Sequence, residues 1–124
     1  MKCVYVAGAY SSTDVLTVFS NMRRGIQAAS QVIEAGFSPF TPWTDVLLHL
    51  QAGYDLKTCY NMSMAWLERS DAVIVVPEGA ERSHGTQAEL ARAEELGIPI
   101  FYHATVEMSI EAMRRHFGGV TDAR

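Results

Sequence analysis

The amino-acid sequence predicts an α/β fold: a three-layer sandwich in which a short parallel sheet is flanked by helices. Short runs of β-branched and apolar residues alternate along the chain with longer segments of helical periodicity. The short runs are apolar throughout, as expected of strands that are covered on both faces. The 124 residues suit one domain, spanning 1–124, that can bury a core without disulfides or metal.

Four of the apolar runs are predicted strands, and the clearest is the continuous run between Asp71 and Pro77. The predicted strands are 3–9, 37–42, 71–77 and 98–103. In parallel sheets, ligands bind beyond the carboxyl ends of the strands. The loops at those ends cover 8–14, 41–54, 77–85 and 103–106. We expect a binding site there.

Helical periodicity predicts four helices, at 18–36, 58–70, 86–97 and 105–117. In the first, spacings of three and four predict an inward face made of Met22, Ile26, Ala29, Val32 and Ile33. Gly36 and Gly97 suit helix ends, and Thr105 suits an N-cap. In the second helix, spacings of three and four place Met62, Ala65, Trp66 and Arg69 on one side. Residues 43–57 are predicted to be a loop with one or two helical turns, and 118–124 a frayed tail.

The composition limits the class of function. Ten basic against fourteen acidic residues give a net charge of −4, which argues against a nucleic-acid polymer as partner. No apolar run approaches the roughly 20 residues that cross a bilayer, and the N-terminus lacks the length of a signal peptide. Cys3 and Cys59 form no metal-type pair, and His49 and His103 have no ligand-spaced partners. These features predict a cytoplasmic protein with no membrane contact and no metal site.

Glu89 is the acidic residue whose position needs an explanation. On a helical wheel of 86–97 it falls in one arc with Ala93 and Leu96, so its side chain is predicted to point into the protein. An inward carboxylate is costly unless it is paired, hydrogen-bonded or kept for chemistry. One alternative is that Glu89 caps the helix by accepting a hydrogen bond from the Gly85 or Thr86 backbone.

Two loops have the character of small-ligand sites. Ser83 and Gly85 lie where a helix begins beyond a strand, a position that suits an anion. Gly8 follows the first strand and precedes Tyr10 and Ser11. Tyr10 either offers its hydroxyl to a ligand or covers the loop. The glycine-rich dinucleotide fingerprint and the P-loop pattern are both absent from the sequence.

Three motifs in this order resemble those of the nucleoside 2-deoxyribosyltransferase superfamily, which includes the deoxynucleoside 5′-monophosphate N-glycosidases. The matching segments are VYVAGAY (4–10), WLERSDAVIVVP (66–77) and SHGTQAEL (83–90). The last segment fits the pattern S-x-G-x-x-x-E-L and is the most specific. The resemblance covers roughly residues 3–103 and implies a flavodoxin-like, Rossmann-like α/β fold.

The resemblance also implies roles for particular residues. Glu89 would attack the anomeric carbon of a ribosyl or deoxyribosyl group, and Tyr5 would orient its carboxylate. Gly8, Ser83, Gly85 and Ser11 would line the sugar-phosphate site. No cofactor is implied, because the carboxylate and the leaving base carry the chemistry. Family members assemble as dimers or larger oligomers, and the last helix of this chain could serve such an interface.

The chain departs from the family at one position. The enzymes carry an Asp eight residues before the Asp that opens the central strand, and this chain has Ser63 there. A hydroxyl cannot replace a carboxylate as an acid or base near neutral pH. Asp45, Asp55 or His84 could supply the proton instead. Otherwise the protein binds nucleotides without turnover, as a sensor would.

Three further residues have two interpretations each. Trp43, beyond the second strand, either stacks on a nucleobase or packs in the protein. Arg23 and Arg24 either neutralise a phosphate or are solvated helix charges.

Taken with the resemblance, the sequence predicts an enzyme that cleaves or transfers the N-glycosidic bond of a nucleoside or its 5′-monophosphate, with hydrolysis favoured. A nucleotide-binding protein without activity is the alternative.

Overall fold

The computed structural model describes residues 1–118, and in it four strands form one parallel sheet. The strands are β1 (Cys3–Ala7), β2 (Ser38–Phe40), β3 (Ala72–Val75) and β4 (Ile100–Phe101), in the spatial order β2-β1-β3-β4. The predicted parallel sheet flanked by helices is confirmed. Each strand is shorter than its apolar run, because a strand ends where its neighbour stops pairing with it.

Helices cover both faces of the sheet, as the apolar strands require. They are α1 (Val15–Glu34), α2 (Leu56–Leu67), α3 (His84–Glu95) and α4 (Val106–His116). Along β1, Val4 and Val6 face the side of α1 and α4, whereas Tyr5 and Ala7 face the side of α2 and α3. This alternation sends Tyr5 toward α3, which carries Glu89.

Helix α1 begins earlier than the apolar periodicity predicts, because Asp14 caps it. The Asp14 carboxylate accepts hydrogen bonds from the Leu16 N–H at 3.2 Å and the Thr17 hydroxyl at 2.9 Å. Gly36 follows the helix with φ 96°, so the predicted helix-ending role of this glycine is confirmed.

The predicted inward face of α1 is partly wrong. Ala29 and Val32 are buried, but Ile26 and Ile33 are exposed. The buried side of the helix instead carries the small residues Gly25 and Ala28, together with Asn21. Small residues lie there because Trp43 packs against them: a Cβ atom on Gly25 would lie 2.4 Å from the indole.

Trp43 belongs to a 3-10 helix, Pro42–Leu50, where the sequence predicts a loop with one or two helical turns. The indole is 1% exposed, and its N–H donates to the Ala9 carbonyl at 3.0 Å. The side chain therefore ties the segment after β2 to the loop after β1. These are two of the loops at the carboxyl edge of the sheet.

The predicted register of α2 is also wrong. Its buried side carries Cys59, Ser63 and Leu67, whereas Met62 and Trp66 are exposed. Trp66 stacks on Phe40, and Phe40 stacks on Tyr5, with ring centroids 5.7 and 5.5 Å apart. The sequence periodicity is misleading here, because the aromatic stack holds Trp66 at the surface.

Strand β2 is an edge strand and contains Pro39 at its centre. The Ser38 N–H donates inward, to the Lys2 carbonyl on the chain leading into β1, at 2.9 Å. Because successive residues of a strand point their N–H groups in opposite directions, the nitrogen of Pro39 lies on the outer side.

No helix within residues 1–118 is long and apolar enough to cross a membrane. Of the tail predicted to fray, 118–124, only Gly118 belongs to the described residues.

The contact between Gly25 and Trp43 can be tested by adding one methyl group. Gly25→Ala would place a Cβ atom within 2.4–2.6 Å of three indole carbons, so we expect a loss of about 1–3 kcal/mol in the free energy of unfolding. Gly85→Ala is the control, since a Cβ atom at this helical position meets no atom within 4 Å. Urea denaturation should show Gly85→Ala unchanged or slightly more stable. Equal stability of both variants would contradict the packing argument.

Candidate active site

A cavity of about 740 Å³ opens at the carboxyl edge of the sheet. Its walls are the loops after β1 and β3, the 3-10 helix after β2, the inner side of α2 and the first turns of α3. The predicted binding residues all line it: Gly8, Tyr10, Ser11, Trp43, Ser63, Ser83 and Gly85. Glu89 also lines the cavity, and Tyr5 is fully buried behind it.

Glu89 and Tyr5 form a buried pair. The Tyr5 hydroxyl donates to Glu89 Oε2 at 2.5 Å, across 84 positions of sequence, and joins β1 to α3. Glu89 is 8% exposed, so its predicted inward orientation is confirmed. Glu89 is not the cap of α3. Ser83 caps this helix by accepting a hydrogen bond from the Thr86 N–H at 3.2 Å. The other carboxylate oxygen, Oε1, remains for a ligand.

Burial sets the protonation of this pair. It raises the pKa of Glu89 to about 7, although the hydrogen bond from Tyr5 opposes part of that rise. Burial raises the pKa of Tyr5 well above its ordinary range, and the neighbouring Glu89 charge adds to the effect. The Ser63 hydroxyl, which lies beside the phenol, lowers the pKa of Tyr5 and offsets part of this rise. Tyr5 therefore stays a neutral hydrogen-bond donor while Glu89 changes charge near neutral pH.

The loop that leads into α3 presents backbone and small side chains to the cavity. Gly79 turns this loop with φ 76°, a left-handed conformation that favours glycine. Ser83 then caps the helix, and its hydroxyl also accepts from the Thr86 hydroxyl at 2.8 Å. Gly85, in the first turn, has no neighbour within 4 Å of a Cβ position, so a ligand can approach the helix N-terminus closely.

A second polar group, formed by Tyr10 and Asp45, also lines the cavity. The Tyr10 hydroxyl donates to Asp45 Oδ1 at 2.8 Å, and the Tyr10 carbonyl accepts from the Asn21 side-chain amide at 3.1 Å. Burial, and then the hydrogen bond to Asp45, raise the pKa of Tyr10. Burial and the Asp45 charge likewise raise the pKa of the Cys59 thiol. Asp45 is thus an acceptor held between two neutral donors.

Two predicted binding residues form the wall through packing. Trp43 is almost fully buried between Gly8 and Gly25, which matches the packing alternative. Gly8 allows this contact, since a Cβ atom there would lie 3.0 Å from Val76 and 3.1 Å from the indole. Ser11, in contrast, is exposed at the rim of the cavity.

Some lining residues were not predicted from the sequence. The arginine that lines the cavity is Arg82, on the loop before α3, whereas Arg23 and Arg24 are exposed on α1 and do not line it. For Cys59, which also lines the cavity, the sequence predicts only that it forms no metal-type pair with Cys3. Its spacing of four from Ser63 is the signal that places both on one side of α2.

Comparison with known proteins identifies the family. Residues 2–103 match the family described as a domain of unknown function (DUF7768), and the chain belongs to this family. The match spans β1 to the end of β4 and so includes every element that lines the cavity. No curated protein matches the chain. In the described part of the chain, no group of three or more His, Cys, Asp or Glu side chains could hold a metal ion.

The raised pKa of Glu89 predicts a pH-dependent stability. Its usual value is 4.5, so the folded protein binds this proton more tightly than the unfolded chain. The free energy of unfolding should therefore fall as the pH rises from 4.5 through 7, and level off above that. Glu89→Gln removes this titration and keeps an acceptor for Tyr5. We expect it to gain about 2–3 kcal/mol over the wild type between about pH 4.5 and pH 8.

The measurement is urea denaturation of both proteins across this pH range. Glu94→Gln, on the exposed side of the same helix, is the control and should track the wild type. A constant difference between Glu89→Gln and the wild type at every pH would show that Glu89 titrates normally in the folded protein.

Proposed function

We propose that this protein cleaves the N-glycosidic bond of a nucleoside 5′-monophosphate, with Glu89 as the nucleophile. The observation that carries the proposal is the Tyr5–Glu89 pair: a buried carboxylate, oriented by one hydrogen bond, that lines a cavity at the carboxyl edge of a parallel sheet. The order of the three sequence motifs, which resembles that of the nucleoside 2-deoxyribosyltransferase superfamily, also supports it.

The chemistry follows from the geometry of Glu89. Tyr5 holds Oε2, so Oε1 attacks the anomeric carbon. The C–O bond to the carboxylate forms as the C–N bond breaks, and the electron pair of that bond leaves with the base. Water then attacks the same carbon and loses one proton, and the bond to Glu89 breaks with its electron pair returning to the carboxylate. The departed base gains one proton from solvent. Transfer to a second base differs only in this last nucleophile.

The loop before α3 supports a phosphorylated substrate. Gly85 leaves the first turn of α3 open to close approach, and Arg82 lines the same part of the cavity with a positive charge. A helix N-terminus together with a guanidinium favours a dianionic phosphate over a neutral hydroxymethyl group. For this reason we favour a 5′-monophosphate over a nucleoside, and hydrolysis over base exchange.

A nucleotide-binding protein without turnover is the second candidate. Ser63, which stands where the related enzymes carry Asp, lies beside the Tyr5 phenol and supplies no carboxylate there. Such a protein would use the same cavity and would be stabilised by nucleotides without consuming them.

We further propose that the protein is a homodimer or larger oligomer in the cytoplasm. Exposed apolar side chains lie on the 3-10 helix and the start of α2, two elements that line the cavity: Leu47, Leu48, Leu50, Leu56 and Tyr60. A patch of this kind commonly marks an interface. The exposed free thiol of Cys3 suits a reducing compartment.

The activity prediction concerns release of free base. Wild-type protein should release base from one or more deoxyribo- or ribonucleoside 5′-monophosphates, and more slowly from the matching nucleosides. Glu89→Gln should lose roughly 10³-fold or more of this rate, because the nucleophile is gone. Glu94→Gln should retain it. Chromatography of the products, with and without a second base, measures both hydrolysis and transfer.

Nucleotide-induced thermal stabilisation without base release from any substrate would refute the enzyme and favour the binding protein. Release by Glu89→Gln at the wild-type rate would show that another group is the nucleophile.

The oligomer prediction concerns Leu50, which is 86% exposed at the end of the 3-10 helix. Leu50→Asp places a charge in the proposed interface and should convert the oligomer to a monomer at micromolar concentration. Leu16→Asp, on the exposed start of α1, is the control and should leave the mass unchanged. Light scattering after size-exclusion chromatography gives the molar mass, and a monomeric wild type would refute the interface.

A further inference from the structure

The cavity contains a carboxylate besides Glu89. It comes from the segment after β2, and not from the position of Ser63, where the related enzymes carry Asp. Asp45 is half-buried in the 3-10 helix after β2 and lines the cavity. Of the three groups that could replace the missing acid at Ser63, only Asp45 and His84 line it. Asp55 is instead exposed, and its carboxylate accepts from the Thr58 N–H at 2.8 Å as the N-cap of α2.

Helix α2 lies beside both Asp45 and the Tyr5–Glu89 pair. Cys59, which lies against Asp45, and Ser63, which lies against Tyr5, are four residues apart on the buried side of this helix. Four residues of α-helix rise about 6 Å. Asp45 and the Tyr5 phenol, which holds Glu89, therefore lie beside neighbouring turns of α2.

The surroundings of Asp45 suit a proton acceptor. Oδ1 accepts from the Tyr10 hydroxyl at 2.8 Å, and Tyr10 is itself held through its carbonyl by Asn21. The Cys59 thiol is the second neighbouring donor. A carboxylate that is fixed in orientation and lines the cavity can take a proton from a water molecule that enters it.

We propose that Asp45 is the general base that activates water in the second half of the reaction, a role that rests on the proposed function. In that step the water oxygen forms a bond to the anomeric carbon, and one water proton passes to the Asp45 carboxylate. The bond from that carbon to Glu89 breaks, and its electron pair returns to Glu89. The proton on Asp45 is then lost to solvent. Asp45 is a catalytic residue in this step, and Tyr10 is its positioning residue.

The test uses Asp45→Asn, which preserves the shape of the side chain and an acceptor for Tyr10. The first half of the reaction does not need Asp45, so the variant should release about one equivalent of base per site in a burst. Steady-state turnover should then fall roughly 10²–10⁴-fold. Intact-protein mass spectrometry should show the sugar phosphate attached, and the attachment should be absent in Glu89→Gln. Azide, which attacks without deprotonation, should restore turnover and give a glycosyl azide.

Two other variants sharpen the result. Asp45→Ala leaves room for formate, which should restore hydrolysis as an external base and thus tests the role even if the Asn variant folds poorly. Asp55→Asn removes the carboxylate that lies outside the cavity, and Asn caps helices as well as Asp does, so its turnover should equal that of the wild type.

The outcomes separate this proposal from the function on which it rests. Wild-type protein that releases no base would refute both. Wild-type release with Asp45→Asn turning over at a similar rate would refute the role of Asp45 alone. The burst and azide rescue appearing in His84→Gln, rather than in Asp45→Asn, would assign the base to His84.

Discussion

The hydrogen bond between Tyr5 and Glu89 is the interaction on which the organisation of the site depends. It joins β1 to α3 across most of the chain, and it lies in the layer between the sheet and the helices α2 and α3. A lone buried carboxylate would be costly, but this one has a neutral phenol as its partner. Burial and the hydrogen bond oppose each other, and their balance leaves Glu89 titrating at about 7.

The wall formed by the loop after β1 and the 3-10 helix depends on the packing of Trp43. The large indole needs two glycines beside it, Gly8 on the loop after β1 and Gly25 on α1. Its N–H also donates a hydrogen bond to the carbonyl of Ala9, the residue before Tyr10. Tyr10 then positions Asp45, which follows Trp43 by two residues. One packed aromatic ring thus supports both the backbone and the polar groups of this wall.

The sequence predicted the sheet, its parallel arrangement and the inward direction of Glu89, because each depends on local periodicity. It did not predict which sides of α1 and α2 are buried. Gly25 and Ser63 carry no apolar signal, and they face inward because Trp43 and Tyr5 occupy the space opposite. The hydrogen bond between Tyr10 and Asp45 could not be predicted from the sequence either, since the two residues are 35 positions apart. The local periodicity of a sequence does not predict contacts that depend on tertiary packing.

Pro39 has a consequence for how the sheet ends. Strand β2 is three residues long, and its central residue lacks an N–H group on the side that faces away from β1. A strand from another chain would find no donor at the middle of this edge, so continuation of the hydrogen-bond ladder is blocked there. Growth into fibrils by edge pairing is disfavoured on this side of the sheet.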